Sequence, residues 1–130
     1  MFLTIRTDNP DAEIGLYDST GKELHYHKWH ADRSLAKDLL RVIRDQLKTQ
    51  NKEWADVRGV VAFEGPGSFT GLRIGLTVAN TLAYGQHIPI VAARGEDWRQ
   101  VGVQRLIKGE DDRLVLPHYG AEANITMPKK

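Results

Sequence analysis

The sequence predicts an α/β fold, a mixed sheet with helices packed on it, and three observations carry that prediction. Three short runs rich in β-branched and aromatic residues open the chain, separated by turn signals. From Leu35 the apolar spacing changes to three or four, the period of a helix. A nearly continuous apolar run, Gly59-Val60-Val61-Ala62-Phe63, then precedes a second helical stretch and a further short strand.

Phe2 to Thr7 reads as the first strand. Asp8-Asn9-Pro10-Asp11 turns the chain, because Asn and Asp bond their own backbone and Pro fixes its φ. A second strand covers Glu13 to Tyr17. Asp18-Ser19-Thr20-Gly21 is the next turn, and a third strand runs over Lys22 to Trp29. Strands joined by turns this short make an antiparallel meander. Leu35, Leu39, Val42, Ile43 and Leu47 then share one helical face, with Asp32 or Ser34 placed to cap its start. Lys37, Arg41, Arg44 and Lys48 occupy the other face, which reads as solvated.

Arg58 to Glu64 suits a central strand buried on both faces. Gly65 to Gly71 is a loop. A helix is expected from Thr70 to Gly85, with Gly85 as its left-handed C-terminal residue. Ile88 to Ala93 forms another strand, Glu96 to Lys108 a third helix with a thin apolar face, and residues 113–130 an extended tail. The resulting order is β-β-β-α-β-α-β, with one domain over residues 1–112. That order resembles the ribonuclease H-like fold, which is also the half-molecule of the actin-like ATPases.

The chain has 130 residues, 41% of them apolar and 27% charged, with a formal charge of +1. These values fit one globular domain and exclude both a broad basic footprint for duplex nucleic acid and the bias of a disordered chain. The absence of cysteine excludes disulfide scaffolds, zinc fingers, iron–sulfur sites and cysteine nucleophiles. Met1 to Asp8 holds one Arg and no apolar stretch long enough for a signal peptide. Ile74 to Ile90 is interrupted by Thr, Gly, Asn80, Gln86, His87 and Pro89 and is too polar to span a bilayer. No membrane partner is expected, and the reading is cytoplasmic.

Gly65-Pro66-Gly67-Ser68-Phe69-Thr70-Gly71-Leu72-Arg73-Ile74-Gly75 is the informative stretch. It lies between a buried strand and a helix start, where backbone N–H groups can face an anion. It is no P-loop, because no Lys follows, and its glycine spacing differs from the dinucleotide fingerprint. Along the helix, Gly71, Gly75, Ala79 and Ala83 recur every fourth residue as a stripe of small side chains. Two helical glycines cost about 1 kcal/mol each, so close packing must offset them. Packing against the sheet and packing against another chain both satisfy that requirement. Ile74, Val78 and Leu82 make a second apolar face, so one face can cover the sheet while the other meets a partner, which favours an interface.

The same eleven residues resemble the signature of the TsaB family, the threonylcarbamoyladenosine biosynthesis proteins also called YeaZ. The similarity extends more weakly over Phe2 to about Ala93, and Pro117-His118-Tyr119 resembles the family's C-terminal segment. The resemblance implies a non-catalytic subunit with an actin-like fold that binds and activates a TsaD-type partner through a bundle of its first two helices. The partner transfers a threonylcarbamoyl group to N6 of the tRNA adenosine beside the anticodon, and a TsaE-type ATPase joins the complex. Leu39, Val42, Ile43, Gly71, Gly75, Ala79 and Ala83 would form the partner surface. Gly65, Pro66, Gly67, Ser68, Phe69, Thr70 and Arg73 would form a motif loop near any phosphate, with Arg73 in an ion pair fixing the loop or the partner. No catalytic residue, metal ligand or cofactor of its own is implied; ATP or ADP and a metal belong to the partner, and tRNA is reached through the complex.

Two features depart from the family's pattern. Arg6 stands where the family's first strand usually ends in Asp; it would repel a divalent metal and attract an anion instead. Family members also carry a second lobe, whereas this chain reads as the first lobe plus a tail. Two other functions compete: a small nucleotide- or phosphate-binding hydrolase using Gly65 to Gly71, and a scaffold that homodimerises through the same helices. Ser68 as a nucleophile lacks the Gly-x-Ser-x-Gly context and reads more simply as a helix cap. His25, His27 and His30, around Trp29, read as exposed residues near a sheet edge in preference to a metal or RNA site.

Overall fold

A computed structural model describes residues 1–67 and 69–118. Its strands are β1 (Phe2–Arg6), β2 (Asp11–Tyr17), β3 (Glu23–His30), β4 (Gly59–Phe63) and β5 (Ile90–Ala93). Its helices are α1 (Leu35–Thr49), α2 (Phe69–Gln86) and α3 (Trp98–Ile107). The sheet order is β3-β2-β1-β4-β5. The meander β1-β2-β3 is antiparallel, and β4 and β5 add in parallel. This is the mixed ribonuclease H-like architecture that the element order predicts.

The pleat of the sheet sorts its side chains onto two faces. Leu3, Ile5, Ile14, Leu16, Val60, Ala62 and Ile90 pack beneath α1 and α2. Tyr17, Val61, Phe63, Val91 and Ala93 pack beneath α3. Every residue of β4 is buried, as its unbroken apolar run requires. Helix α3 lies close to that strand because Gly102 has no side chain: a Cβ there would overlap Val61 Cγ1 and stand 2.9 Å from Cγ2. Helix α1 buries Leu35, Leu39, Val42, Ile43 and Leu47, and its basic residues face solvent.

Three element ends differ from expectation. Ser34 sits at the start of α1, but its hydroxyl donates to the Ala31 carbonyl at 2.7 Å and does not cap the helix. Gly85 is an ordinary helical residue, and the left-handed position falls on His87, with φ 56°. Helix α2 therefore runs a turn position further than glycine placement suggests. Helix α3 spans Trp98–Ile107, shorter than the Glu96 to Lys108 expected: Gly95 takes a positive φ of 88°, residues 96 and 97 form a turn with Asp97 at the N-cap, and Lys108 is the C-cap.

Residues 113–118, expected as part of an extended tail, are docked. Asp112 N–H donates to the Ile90 carbonyl at 2.8 Å, and the Asp112 carboxylate accepts from Ala92 N–H at 2.8 Å. Arg105 donates to Asp112 at 2.6 Å, to Glu110 at 2.6 Å and to the Ala92 carbonyl at 3.0 Å. The Arg105 bond holds the Asp112 carboxyl below the usual carboxylate range. Carboxylates and a guanidinium thus occupy the open side of β5, a protection that edge strands need. Further on, Val115 is 2% exposed and exchanges two 2.9 Å hydrogen bonds with the Asn80 side chain. His118 N–H reaches the Glu64 carbonyl at 2.7 Å. A boundary after residue 112 therefore cuts a strap that is part of the packed unit. Residues 119–130, with Tyr119 and Ile125, lie outside the described residues.

Candidate functional site

Parallel pairing of β1 with β4 brings their C-terminal ends together, and the glycine-rich stretch leaves from the second of these. This is the crevice where α/β sheets place ligands. Here it is filled from within. Arg6 donates to the Asp8 carboxylate through Nε at 2.6 Å and through Nη2 at 3.1 Å, while its guanidinium lies 3.9 Å from the Phe63 ring centre. The Asp8 side chain is only 9% exposed. Arg6 is therefore bound to its own carboxylate, which corrects the expectation that it attracts an external anion. A cation paired with the nearest carboxylate does not suit a divalent metal either.

The glycines of the loop serve this packing. Gly65 has φ 111°, and a Cβ on it would overlap the His118 carbonyl oxygen. A Cβ on Gly67 would overlap Asp8 Cβ. Pro66 joins Gly65 through a cis peptide bond. Thr7 Oγ1 donates to the Gly71 carbonyl at 2.7 Å, tying the start of α2 to the end of β1. Thr70 and Gly71 line a cleft of about 390 Å³ together with Asn9, Pro10, Arg33, Leu35 and Ile74. Arg73 is exposed and engaged with neighbouring groups. Ser68 and the Phe69 side chain lie outside the described residues, so the capping role expected of Ser68 does too.

The small-residue stripe faces inward. A Cβ on Gly75 would overlap the Thr7 hydroxyl, and Ala79 and Ala83 are 0% and 3% exposed. Leu39 and Ile43 are 0% exposed and Val42 is buried as well. Of the seven residues expected to form a partner surface, only Gly71 is not buried. The stripe is taken up by the chain's own core: Gly75 sits against Thr7, just after β1, and Ala79 and Ala83 join the cluster beneath the helices.

Apolar surface is left open along the neighbouring seam between α1 and α2, as it is also at Leu114 and Leu116 of the strap. Ile74, Val78 and Leu82 are half-buried on the same helical face, and Leu40 on α1 is 49% exposed. Leu40, Trp54 and Leu82 line a groove of about 490 Å³, whose other walls are Lys37, Arg41, Arg44 and Gln86. Leu40 and Trp54 were not legible as surface residues from spacing alone. The available signal was Leu40 itself, an apolar residue beside the Leu39–Ile43 row on an otherwise charged face.

The histidines of β3 take local roles. His25 Nε2 lies 2.6 Å from Gln46 Oε1, His27 stacks on Trp29 at 5.7 Å, and His30 pairs with Asp11 at 3.0 Å. Burial, reinforced by the nearby His25, pushes the His27 imidazole below its usual value. Among the described residues no helix is long and apolar enough to cross a membrane.

Comparison with known proteins fits this geometry. The family model described as TsaD, tRNA N6-adenosine threonylcarbamoyltransferase, matches residues 29–94, about half of the chain. The TsaB tRNA threonylcarbamoyladenosine biosynthesis protein of Escherichia coli is 29% identical over 119 residues, covering 86% of this chain and 50% of that protein. Among solved structures, YeaZ from Pseudomonas aeruginosa aligns with TM-score 0.65 and 29% identity, over 72% of this chain and 43% of that one. Thermus thermophilus RuvC aligns with TM-score 0.50 and 12% identity, over 95% and 88% of the two chains, a likeness of fold. The chain spans about half the length of the E. coli relative.

Proposed function

The chain belongs to the TsaD family, and within it to the TsaB/YeaZ kind, and from that membership we propose that it is an accessory subunit of tRNA threonylcarbamoylation. Its α1–α2 seam receives helices of a TsaD-type partner, and the partner carries the transfer to N6 of the tRNA adenosine. The chain itself supplies a braced surface and no cofactor; nucleotide, metal and contacts with a TsaE-type ATPase and tRNA belong to the assembled complex. One observation supports this reading above the rest: the core beneath the seam is closed, yet Leu40, Ile74, Val78 and Leu82 remain partly exposed in a row above it. Apolar surface gathered beside a finished core marks an interaction site. The pairing of Arg6 with Asp8 and the bond from Thr7 to the Gly71 carbonyl, beside the glycine loop, favour the subunit reading over a hydrolase.

Light scattering after size-exclusion chromatography tests the proposal, with the chain alone and mixed with the TsaD-type protein of its own genome. A hetero-complex is expected. Leu40→Arg places a charge in the groove and is expected to weaken that complex about tenfold, because a partner would cover only the exposed half of the leucine, worth about 1 kcal/mol, and would have to desolvate the added guanidinium as well. Its effect on folding should stay within about 0.5 kcal/mol, since Leu40 is half exposed. A wild-type chain that ignores the partner contradicts the proposal.

A further inference from the structure

Every main-chain group on the open edge of β5 is occupied, and the occupant is the segment that follows α3. Strand β4 bonds the Pro89 and Ala93 carbonyls, so Ile90 and Ala92 turn their main-chain groups outward. Ile90 N–H donates to Asp111 Oδ1 at 3.1 Å, and its carbonyl accepts from Asp112 N–H at 2.8 Å. Ala92 N–H donates to Asp112 Oδ2 at 2.8 Å, and its carbonyl accepts from Arg105, which also holds Asp112. Two carboxylates thus stand where a neighbouring strand would offer carbonyls. Further along, the Asn80 side chain takes both main-chain groups of Val115 at 2.9 Å, and the Glu64 carbonyl takes His118 N–H. Receptors read an extended peptide in this way, holding it by its main chain and selecting it by the side chain they bury.

The seating is shallow. Of residues 109–118 only Val115 is buried, and Leu114 and Leu116 beside it are 58% and 67% exposed. A cleft of about 230 Å³ stays open between Leu76, Thr77 and Asn80 of α2 and Leu116 and Pro117 of the strap. At the strap's start Gly109 takes φ 85° with open space around it, so the backbone can pivot there without a clash. Segments with few buried contacts and exposed hydrogen bonds open locally while the rest of a protein stays folded. We infer that residues 109–118 are a detachable strap, and that the groove it leaves along β5 and α2 binds an extended segment of another protein, one with two adjacent acidic residues and a valine-sized side chain three positions after the second. The acids answer Arg105 and the two outward N–H groups of β5; the apolar side chain takes the place that Val115 fills in the core. This groove shares no lining residue with the α1–α2 groove, so the inference stands apart from the subunit reading.

Amide exchange of the wild-type chain tests the detachment. The Ile90, Ala92, Asp112, Val115 and His118 amides are expected to open together and to be about 100-fold less protected than those of Ile5 and Val61. Equal protection in strap and core overturns it. Binding is tested with a synthetic peptide of residues 109–118 added to the isotope-labelled full chain. Asp112→Ala with Val115→Ala weakens the chain's own strap and leaves the groove intact. The peptide is expected to bind this variant at least about tenfold more tightly than the wild type, whose tethered strap competes at high effective concentration. Shifts should centre on the Ile90 and Ala92 amides and the Asn80 side chain. A peptide carrying the same two alanines should not bind, and adding Arg105→Met to the variant should weaken the unaltered peptide about tenfold. A variant that keeps the wild-type circular dichroism but binds no peptide overturns the groove, and one that unfolds overturns the strap's independence. A wild-type dimer that the peptide dissolves overturns the partner's segment in favour of a second copy's strap.

Discussion

Gly75→Ala is expected to destabilise the fold by about 2 kcal/mol, although alanine is the better helix former by about 1 kcal/mol. The added Cβ would overlap the Thr7 hydroxyl and stand 2.9 Å from both Thr7 Cβ and Cγ2. Rotating Thr7 brings no relief, since every rotamer keeps its Cβ in place, and the hydroxyl would also leave the Gly71 carbonyl. Thr7 is 2% exposed and has no room to withdraw. Thermal denaturation should show a fall in Tm of roughly 8 °C. Thr7→Ala in the same chain should recover part of it, because two of the three clashing atoms are gone. An unchanged Tm contradicts the inward orientation of the stripe. Leucine at position 75 would do worse, so bulk there reports on folding before it reports on association.

Gly65→Ala is expected to be similarly costly for a different reason. Its φ of 111° is one that residues with a Cβ adopt only at about 1–3 kcal/mol. The new Cβ would also overlap the His118 carbonyl oxygen and lie 2.9 Å from Leu72 Cδ2. A backbone carbonyl cannot swing aside as a side chain can, so the strap must lift. The expected result is a loss of about 2 kcal/mol, with faster amide exchange at His118 and Val115, whose bonds to Glu64 and Asn80 hold the strap down. Protection at those two amides equal to that of the wild type contradicts the strap's dependence on Gly65.

Periodicity made most of the architecture legible. The meander, the amphipathic α1 and the fully buried β4 each follow from a pattern local to a few residues, and each is where that pattern places it. Direction was harder. A stripe of small residues says that something approaches closely, and spacing alone does not say whether the approach comes from within or without. Thr7 answers that, and Thr7 lies 64 residues away from its partner Gly71. Arg6 misled for the same reason: its charge is evident in the sequence, whereas its engagement with Asp8 needs the turn of the backbone after β1. The left-handed end of α2 falls on His87 and not on Gly85, because the helix ends where Ile88 must bond back to Ala83 before β5 begins. The strap was illegible because its polar residues read as solvated, while Asp111 and Asp112 in fact bond the backbone of β5.

The seam's role is tested most directly by methyl NMR of the labelled chain titrated with the unlabelled TsaD-type protein. Leu40, Leu82, Ile74 and Val78 methyl signals are expected to shift or broaden together, while Leu3 and Leu16, buried under the sheet's own helices, stay in place. Perturbation centred on β3, or around Gly65 and Gly67 with the seam methyls silent, would contradict the assignment of the α1–α2 seam as the docking surface.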